Sequence, residues 1–283
     1  MRFGFLASTA AVATILLSVA CSPVMAEEIV QFAPSAYRLS KFGQARAKEQ
    51  GQPDSPSTAE MVNAYLLKPN GPGPFPAIVF LHGCGGLGPR YHGIAEQFAG
   101  KGYVVLIVDS FTTRGIREAC DTVIPDRRAD ALGALVYLSK LTMVAADRIA
   151  MLGYSQGGIV GLQVASMLPQ DVFDVPASLN YRAAVDFYPM CRMSSDLFTV
   201  PSLILVGSVD DWSPAKDCER LVARQKGASV KLVVYPGAAH GFDNPAYGAG
   251  RQEFGHFLKY DREATEKSAA EVDSFLQEQL GRN

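Results

Sequence analysis

From Met61 onward the chain alternates between two hydrophobic patterns. Ala77-Ile78-Val79-Phe80-Leu81 and Tyr103-Val104-Val105-Leu106-Ile107-Val108 are continuous apolar runs rich in β-branched residues, as expected of central strands buried on both faces. Between such runs the apolar positions fall at helical spacing. Ala131, Leu135 and Leu138 recur with Leu132 and Val136 alongside, and Ala269, Val272, Leu276 and Leu280 do the same near the end. The pattern predicts strands over 61–67, 76–81, 103–108, 147–152, 181–187, 202–207 and 230–235, joined by crossover helices. This is an α/β fold: a mostly parallel central sheet flanked by helices on both faces. Asn70-Gly71-Pro72-Gly73-Pro74 is a breaker-rich turn between two early strands. With no internal repeat and no second break in the pattern, residues 61–283 read as one domain. Residues 27–60, with Gly51-Gln52-Pro53-Asp54-Ser55-Pro56, read as a polar, turn-rich lead-in.

Residues 1–26 follow a different rule. Arg2 precedes an uncharged apolar stretch from Phe3 to Ala20, and Ser22-Pro23-Val24-Met25-Ala26 then supplies small residues before Glu27-Glu28. That is the form of a secretory signal peptide, with a periplasmic or secreted mature chain as its consequence. A membrane anchor is the competing reading, since the stretch is about long enough to span a bilayer. A lipoprotein tethered through Cys21 is another, although Ser18 departs from the Leu, Val or Ile expected before such a cysteine. The 283 residues carry 26 Lys+Arg against 28 Asp+Glu and are 48% hydrophobic, an ordinary globular composition. A cut after Ala26 removes one positive charge and leaves 25 against 28. Without a basic run there is no footprint for nucleic acid or for an anionic membrane surface. Of five cysteines, Cys84, Cys120, Cys191 and Cys218 would survive the cut. Four in an oxidising compartment fit two disulfides in any of three connectivities, with four free thiols as the alternative.

The candidate chemistry centres on Ile149-Ala150-Met151-Leu152, then Gly153-Tyr154-Ser155-Gln156-Gly157-Gly158, then Ile159-Val160-Gly161-Leu162. Strand, sharp turn and helix follow one another. A Gly-x-Ser-x-Gly elbow needs its glycines because side chains two residues either side of the serine would collide with strand and helix. The bare pattern arises by chance in about one such chain in six. Its flanking strand and helix are what single out Ser155 as a nucleophile.

A serine hydroxyl needs a base, and the base needs an acid to fix its tautomer. His240 follows the strand Lys231 to Tyr235 through Pro236-Gly237-Ala238-Ala239, on a loop that can swing over the serine. His256 is a poorer candidate. His82 is expected to support its loop and His92 to lie on a surface helix. Asp210, after Leu203-Ile204-Leu205-Val206-Gly207, is the preferred acid. Asp186, at another strand end, and Asp211, which could instead start the helix near Ser213-Pro214, are the alternatives. Ser155, Asp210, His240 is the chain order of an α/β-hydrolase sheet. Two backbone donors must hold the oxyanion: Gln156, after the serine, and Cys84 in the glycine-rich loop His82-Gly83-Cys84-Gly85-Gly86.

These motifs, together with Pro76 to Gly86, Gly207-Ser208-Val209-Asp210 and Pro236 to Phe242, resemble the dienelactone hydrolase family of α/β-hydrolases from about Met61 to Leu280. The resemblance implies a hydrolase of small-molecule esters or lactones that uses Ser155, Asp210 and His240 and takes no cofactor or metal. The family's namesakes carry cysteine in the elbow and act on a small carboxylate-bearing lactone. Ser155 points instead to a broader carboxylesterase. Arg114, Arg117 and Arg192 lie in loops that could meet an anionic substrate. Topology within the resembled fold suggests Cys84–Cys120 and Cys191–Cys218, the first beside the oxyanion loop. The sequence leaves open a peptidase or acyltransferase on the same residues, a binding protein that kept the fold, and the oligomeric state.

Overall fold

The computed structural model describes residues 1, 27–39, 41–50, 60–122 and 126–281. The expected leader over residues 2–26 and the turn at 51–56 lie outside the described residues. The strands are β1 (Glu27–Phe32), β2 (Val62–Leu67), β3 (Phe75–Leu81), β4 (Val104–Asp109), β5 (Val144–Tyr154), β6 (Ala183–Phe187), β7 (Leu197–Phe198), β8 (Ser202–Gly207), β9 (Lys226–Gly227), β10 (Val230–Tyr235), β11 (Arg251–Glu253) and β12 (His256–Leu258). The helices are α1 (Lys41–Glu49), α2 (Pro89–Gly100), α3 (Arg127–Leu138), α4 (Gln156–Ala165), α5 (Pro169–Val172), α6 (Ala215–Arg224) and α7 (Arg262–Leu280).

Eight strands form the central sheet in the order β1-β2-β4-β3-β5-β6-β8-β10. The pairs β1/β2 and β2/β4 are antiparallel, and every pairing from β4 to β10 is parallel. Successive side chains of a strand point to opposite faces, and here both faces are covered. Ala77, Val79 and Leu81 of β3 meet α3 and α4, whereas Ile78 and Phe80 meet α2 and α7. Two cores of this kind explain why β3 and β4 carry no polar alternation.

All seven expected strands are present, with 202–207 and 230–235 as β8 and β10 at the expected bounds and the other five shifted at one end or both. β5 begins three residues earlier than expected, and β6 begins two later, at Ala183. β1 is the addition. Glu27 to Phe32 falls within the segment read as a polar lead-in, and it forms an edge strand in which the first three residues are exposed and only Phe32 is buried. A strand with so little burial writes little hydrophobic pattern into the sequence. The chain after β1 also packs down, with Ser35 N donating to Ala129 O at 2.8 Å. α3 begins four residues before its apolar pattern, capped by Asp126, which accepts from Arg128 N.

Candidate active site

β5 ends at Tyr154, and the chain turns into α4 through Ser155, whose φ of 51° and ψ of −111° lie where side-chain-bearing residues are rarely found. The flanking glycines make this possible. A Cβ on Gly153 would lie 2.3 Å from Gly157 O, and one on Gly157 would lie 2.2 Å from Leu81 O. The turn is tied down where Ser155 N donates to Phe187 O at 2.9 Å. The hydroxyl is thereby held at the N-terminal end of α4 and at the C-terminal edge of the parallel strands, the expected elbow.

His240 Nε2 lies 3.0 Å from Ser155 Oγ, and His240 Nδ1 lies 2.8 Å from Asp210 Oδ2. A carboxylate only accepts, so Nδ1 carries the proton toward Asp210 and Nε2 is free to accept from the serine. Such a chain can pass a proton from hydroxyl to imidazole. Asp210 is itself fixed, its Oδ1 accepting from Trp212 N (2.9 Å) and Ser213 N (2.7 Å). Both His240 and Asp210 are buried. The imidazole packs against Tyr188 (4.6 Å between ring centroids) and Trp212 (5.0 Å). Tyr188 in turn donates to Asp243 Oδ1 at 2.7 Å, and Asp243 pairs with Arg90 of α2.

The alternatives fall elsewhere. Asp186 is buried in β6 beside Gly153 and Ile204, with neither oxygen hydrogen-bonded, and burial pushes its pKa well above the usual carboxylate range. Asp211 does not start a helix: α6 is capped at Pro214, and Asp211 accepts from Phe257 N on the β11–β12 hairpin (3.2 Å). His256 stacks on Trp212 at 4.6 Å and faces Asp211 at 3.5 Å. His82 is buried with Nδ1 2.7 Å from Gly83 O, and His92 on α2 pairs with Glu27 at 2.6 Å.

The loop after β3 lies against the serine, since a Cβ on Gly83 would be 3.7 Å from Ser155 Cβ. Cys84 and Gln156, the two expected oxyanion donors, line one cavity with Ser155. Cys84 is disulfide-bonded to Cys120, with Cα atoms 4.8 Å apart, and Cys191 to Cys218, with Cα atoms 5.0 Å apart. The first pair is half-buried beside the serine, and the second is fully buried between the segment after β6 and α6.

Two hollows share Ser155, Cys84, Cys120 and Trp212 as walls. One, of about 610 Å³, is closed by Ile159, Met190 and Met193 and by Arg127 and Arg128. The other, of about 420 Å³, runs past Tyr188, His240, Tyr247 and Phe254. Arg114, Arg117 and Arg192, which could have met an anionic substrate, are not among these walls. Arg114 is tied to both oxygens of Asp130 at 2.8 Å, and Arg117 and Arg192 are exposed. Arg127, Trp212 and Tyr188 are the site residues that sequence reasoning missed. One signal for Arg127 was available: a positive side chain at the first position of a helix opposes the helix dipole and calls for a reason. Among the described residues no three His, Cys, Asp or Glu side chains gather to hold a metal ion.

The profile of the dienelactone hydrolase family matches residues 62–280. A Bradyrhizobium sp protein named "Probable 2-oxo-3-(5-oxofuran-2-ylidene)propanoate lactonase" is 30% identical over 195 residues, 63% of this chain and 78% of that one. A mouse mitochondrial protein, acyl-coenzyme A thioesterase 2, is 35% identical over 107 residues, 38% of this chain and 22% of the thioesterase. In structure, esterase 2 of Thermogutta terrifontis, solved in a form phosphorylated by paraoxon, superposes with a TM-score of 0.59 at 23% identity, covering 78% of this chain and 90% of that one. With the family profile spanning seven of the eight sheet strands, the elbow and the loops that meet there, this chain belongs to the dienelactone hydrolase family.

Proposed function

We propose that the protein is an exported serine hydrolase that cleaves carboxylic esters or lactones through an acyl-enzyme. The carrying observation is the unbroken run Ser155 Oγ, His240 Nε2, His240 Nδ1, Asp210 Oδ2, with contacts of 3.0 and 2.8 Å, at a strained elbow. In this reading Ser155 Oγ attacks the carbonyl carbon and its proton passes to His240 Nε2. Asp210 holds the tautomer and offsets the imidazolium charge. The oxyanion is held by the amides of Gln156 and Cys84. Collapse breaks the bond to the ester oxygen, which takes the proton from His240; in a lactone that alcohol stays attached to the acyl group. Water, deprotonated by His240, then releases the acid and restores Ser155. The thioester, ester and lactone activities in the names of the relatives fit the same sequence of steps.

Export is supported by the leader-like residues 1–26 and by the two disulfides, which persist in oxidising compartments. No helix among the described residues is long and apolar enough to cross a membrane. The test is a panel of p-nitrophenyl esters and small lactones with the wild-type protein and Ser155→Ala. The expected result is turnover by the wild type and a loss on the order of 10⁶ in kcat for the variant. A serine-directed phosphonate that left Ser155 unmodified would favour a binding protein, and amide cleavage exceeding ester cleavage would favour a peptidase. Sequencing the exported protein from its N-terminus should read Glu27 first; an acylated Cys21 would instead mark a lipoprotein.

A further inference from the structure

Among the described residues, the bulkiest of the fully buried side chains is a charged one, Arg127, at the first position of α3. Burial lowers its pKa to about 10, so the guanidinium stays protonated at neutral pH. The carboxylate one turn along, Asp130, is already engaged by both Nη atoms of Arg114. Arg127 instead lies over the Phe111 ring, Cζ 5.2 Å from its centroid, and its Nη1 donates to Gln156 Oε1 at 3.0 Å. Its Nε and Nη2 are buried with no acceptor among the described residues. Asp130 and Asp109 offset its charge only through space, and a buried cation hydrogen-bonded to one neutral acceptor is costly where hydrophobic side chains of similar size would cover the same core at less expense.

What the cation holds is specific. Gln156 Nε2 donates to Ala119 O at 3.1 Å, and Ala119 N donates to Cys84 O at 2.8 Å. The chain Arg127, Gln156, Ala119, Cys84 thus joins the start of α3, the residue after the elbow, the loop after β4 and the loop after β3. Its second and last members are the two residues assigned above to the oxyanion. A charged donor at one end also polarises the amide it binds, strengthening the bonds that follow.

We propose that Arg127 is a positioning residue of the oxyanion pocket: clamped through the Gln156 side chain, it fixes the separation of the Gln156 and Cys84 amides and lends its positive charge to the wall facing the reacting carbonyl. This rests on Ser155 being the nucleophile. Gln156 makes the clamp with its side chain and the oxyanion contact with its backbone, so the two are separable by substitution. Arg127→Met keeps the bulk and removes charge and donors; Arg127→Lys keeps the charge and one donor group; Gln156→Met removes the clamp and leaves the backbone amide.

The experiment measures kcat and KM for a neutral p-nitrophenyl ester and for one bearing a carboxylate in its acyl part. It adds the affinity of an alkyl boronic acid, which forms a tetrahedral serine adduct, followed by fluorescence of Trp212, the chain's one tryptophan. Removing an oxyanion donor outright costs about 10²–10³ in kcat, so loosening the pair is expected to cost Arg127→Met roughly tenfold or more. KM for the neutral ester should change less than about threefold, and boronate affinity should fall in parallel with kcat. Arg127→Lys should recover part of both losses. Gln156→Met should lose a comparable factor, with little added by Arg127→Met in its background. Unchanged kcat and boronate affinity in folded Arg127→Met would overturn the proposal, as would a loss confined to KM for the carboxylate-bearing ester, which would make Arg127 a substrate-binding group. If Arg127→Met does not fold, Gln156→Met with wild-type kcat and boronate affinity overturns it equally. Failure of the serine-hydrolase reading shows separately, as full activity in Ser155→Ala.

Discussion

Among the described residues nothing hydrogen-bonds either carboxyl oxygen of Asp186, which is buried one residue before the end of β6, and burial raises its pKa well above the ordinary value. A raised folded pKa means that the stability this group contributes is fully present below its unfolded pKa of about 3.9 and is lost as pH rises toward the folded value. Asp186→Asn cannot ionise. Urea melts should therefore show the stability of the wild type falling relative to Asp186→Asn between pH 4 and pH 8; a constant difference would show that Asp186 does not titrate with folding. His82 acts in the opposite direction. Burial and the nearby Arg127 lower its pKa, so its contribution is present above about pH 6.5 and is lost as pH falls. The Arg90–Asp243 pair makes a second residue-level prediction. Asp243→Asn leaves Arg90 charged and largely buried, with an expected cost of about 3 kcal/mol in a denaturant melt. Asp243→Ala, which leaves Tyr188 without this acceptor as well, should also loosen the packing on His240, lowering kcat more than it raises KM. At this scale the run Ser155, His240, Asp210 was legible because a glycine-flanked elbow and the two side chains that meet it each follow a strand end. Asp243 and Arg127 were not legible. Their partners, Arg90 and Gln156, lie far along the chain, and no local pattern encodes such a meeting.

The two disulfides divide the labour between elements. Cys84–Cys120 joins the loop after β3 to the loop after β4 at the wall of both hollows, whereas Cys191–Cys218 lies wholly inside. Mild reductant under native conditions should open the first and leave the second closed, as read by thiol alkylation and peptide mapping. Activity should fall with the first, because the Cys84 loop would then lose its covalent tie to the loop after β4 and keep only hydrogen bonds such as those with Ala119 and Tyr91. Replacing Cys191 and Cys218 together by serine should cost about 3–4 kcal/mol of stability on the chain-entropy argument for a 27-residue separation. Strand placement shows why some elements were readable and others not. β3 and β4 are covered on both faces, and every residue from Ala77 to Leu81 had to be apolar. Along α3 the apolar pattern starts only at Ala131, because its first turn carries Arg127, bonded to Gln156, Arg128, bonded to Asp126, and Asp130, bonded to Arg114.

Across the whole molecule, β1 closes one end of an eight-stranded sheet, and its open side shows Glu27, Glu28 and a 69%-exposed Ile29. Charges on an edge strand discourage pairing with a second sheet. A chain beginning at Met61 would lose β1, the Ser35 bond to α3 and the Tyr37–Phe173 ring contact (4.7 Å). It would also bare β2, whose side chains at Val62, Ala64, Leu66 and Leu67 are buried. The expected outcome is a lower melting temperature and concentration-dependent association by light scattering; a truncated monomer of unchanged Tm would show β1 to be ornamental. The position of β1 also orders assembly. Of the described strands the one nearest the N-terminus lies outermost, and its one neighbour, β2, pairs on its other side with β4. The parallel core can therefore set its register while the first strand is still undocked, and whatever precedes Glu27 during synthesis delays the rim of the sheet and not the surface on which Ser155 is built.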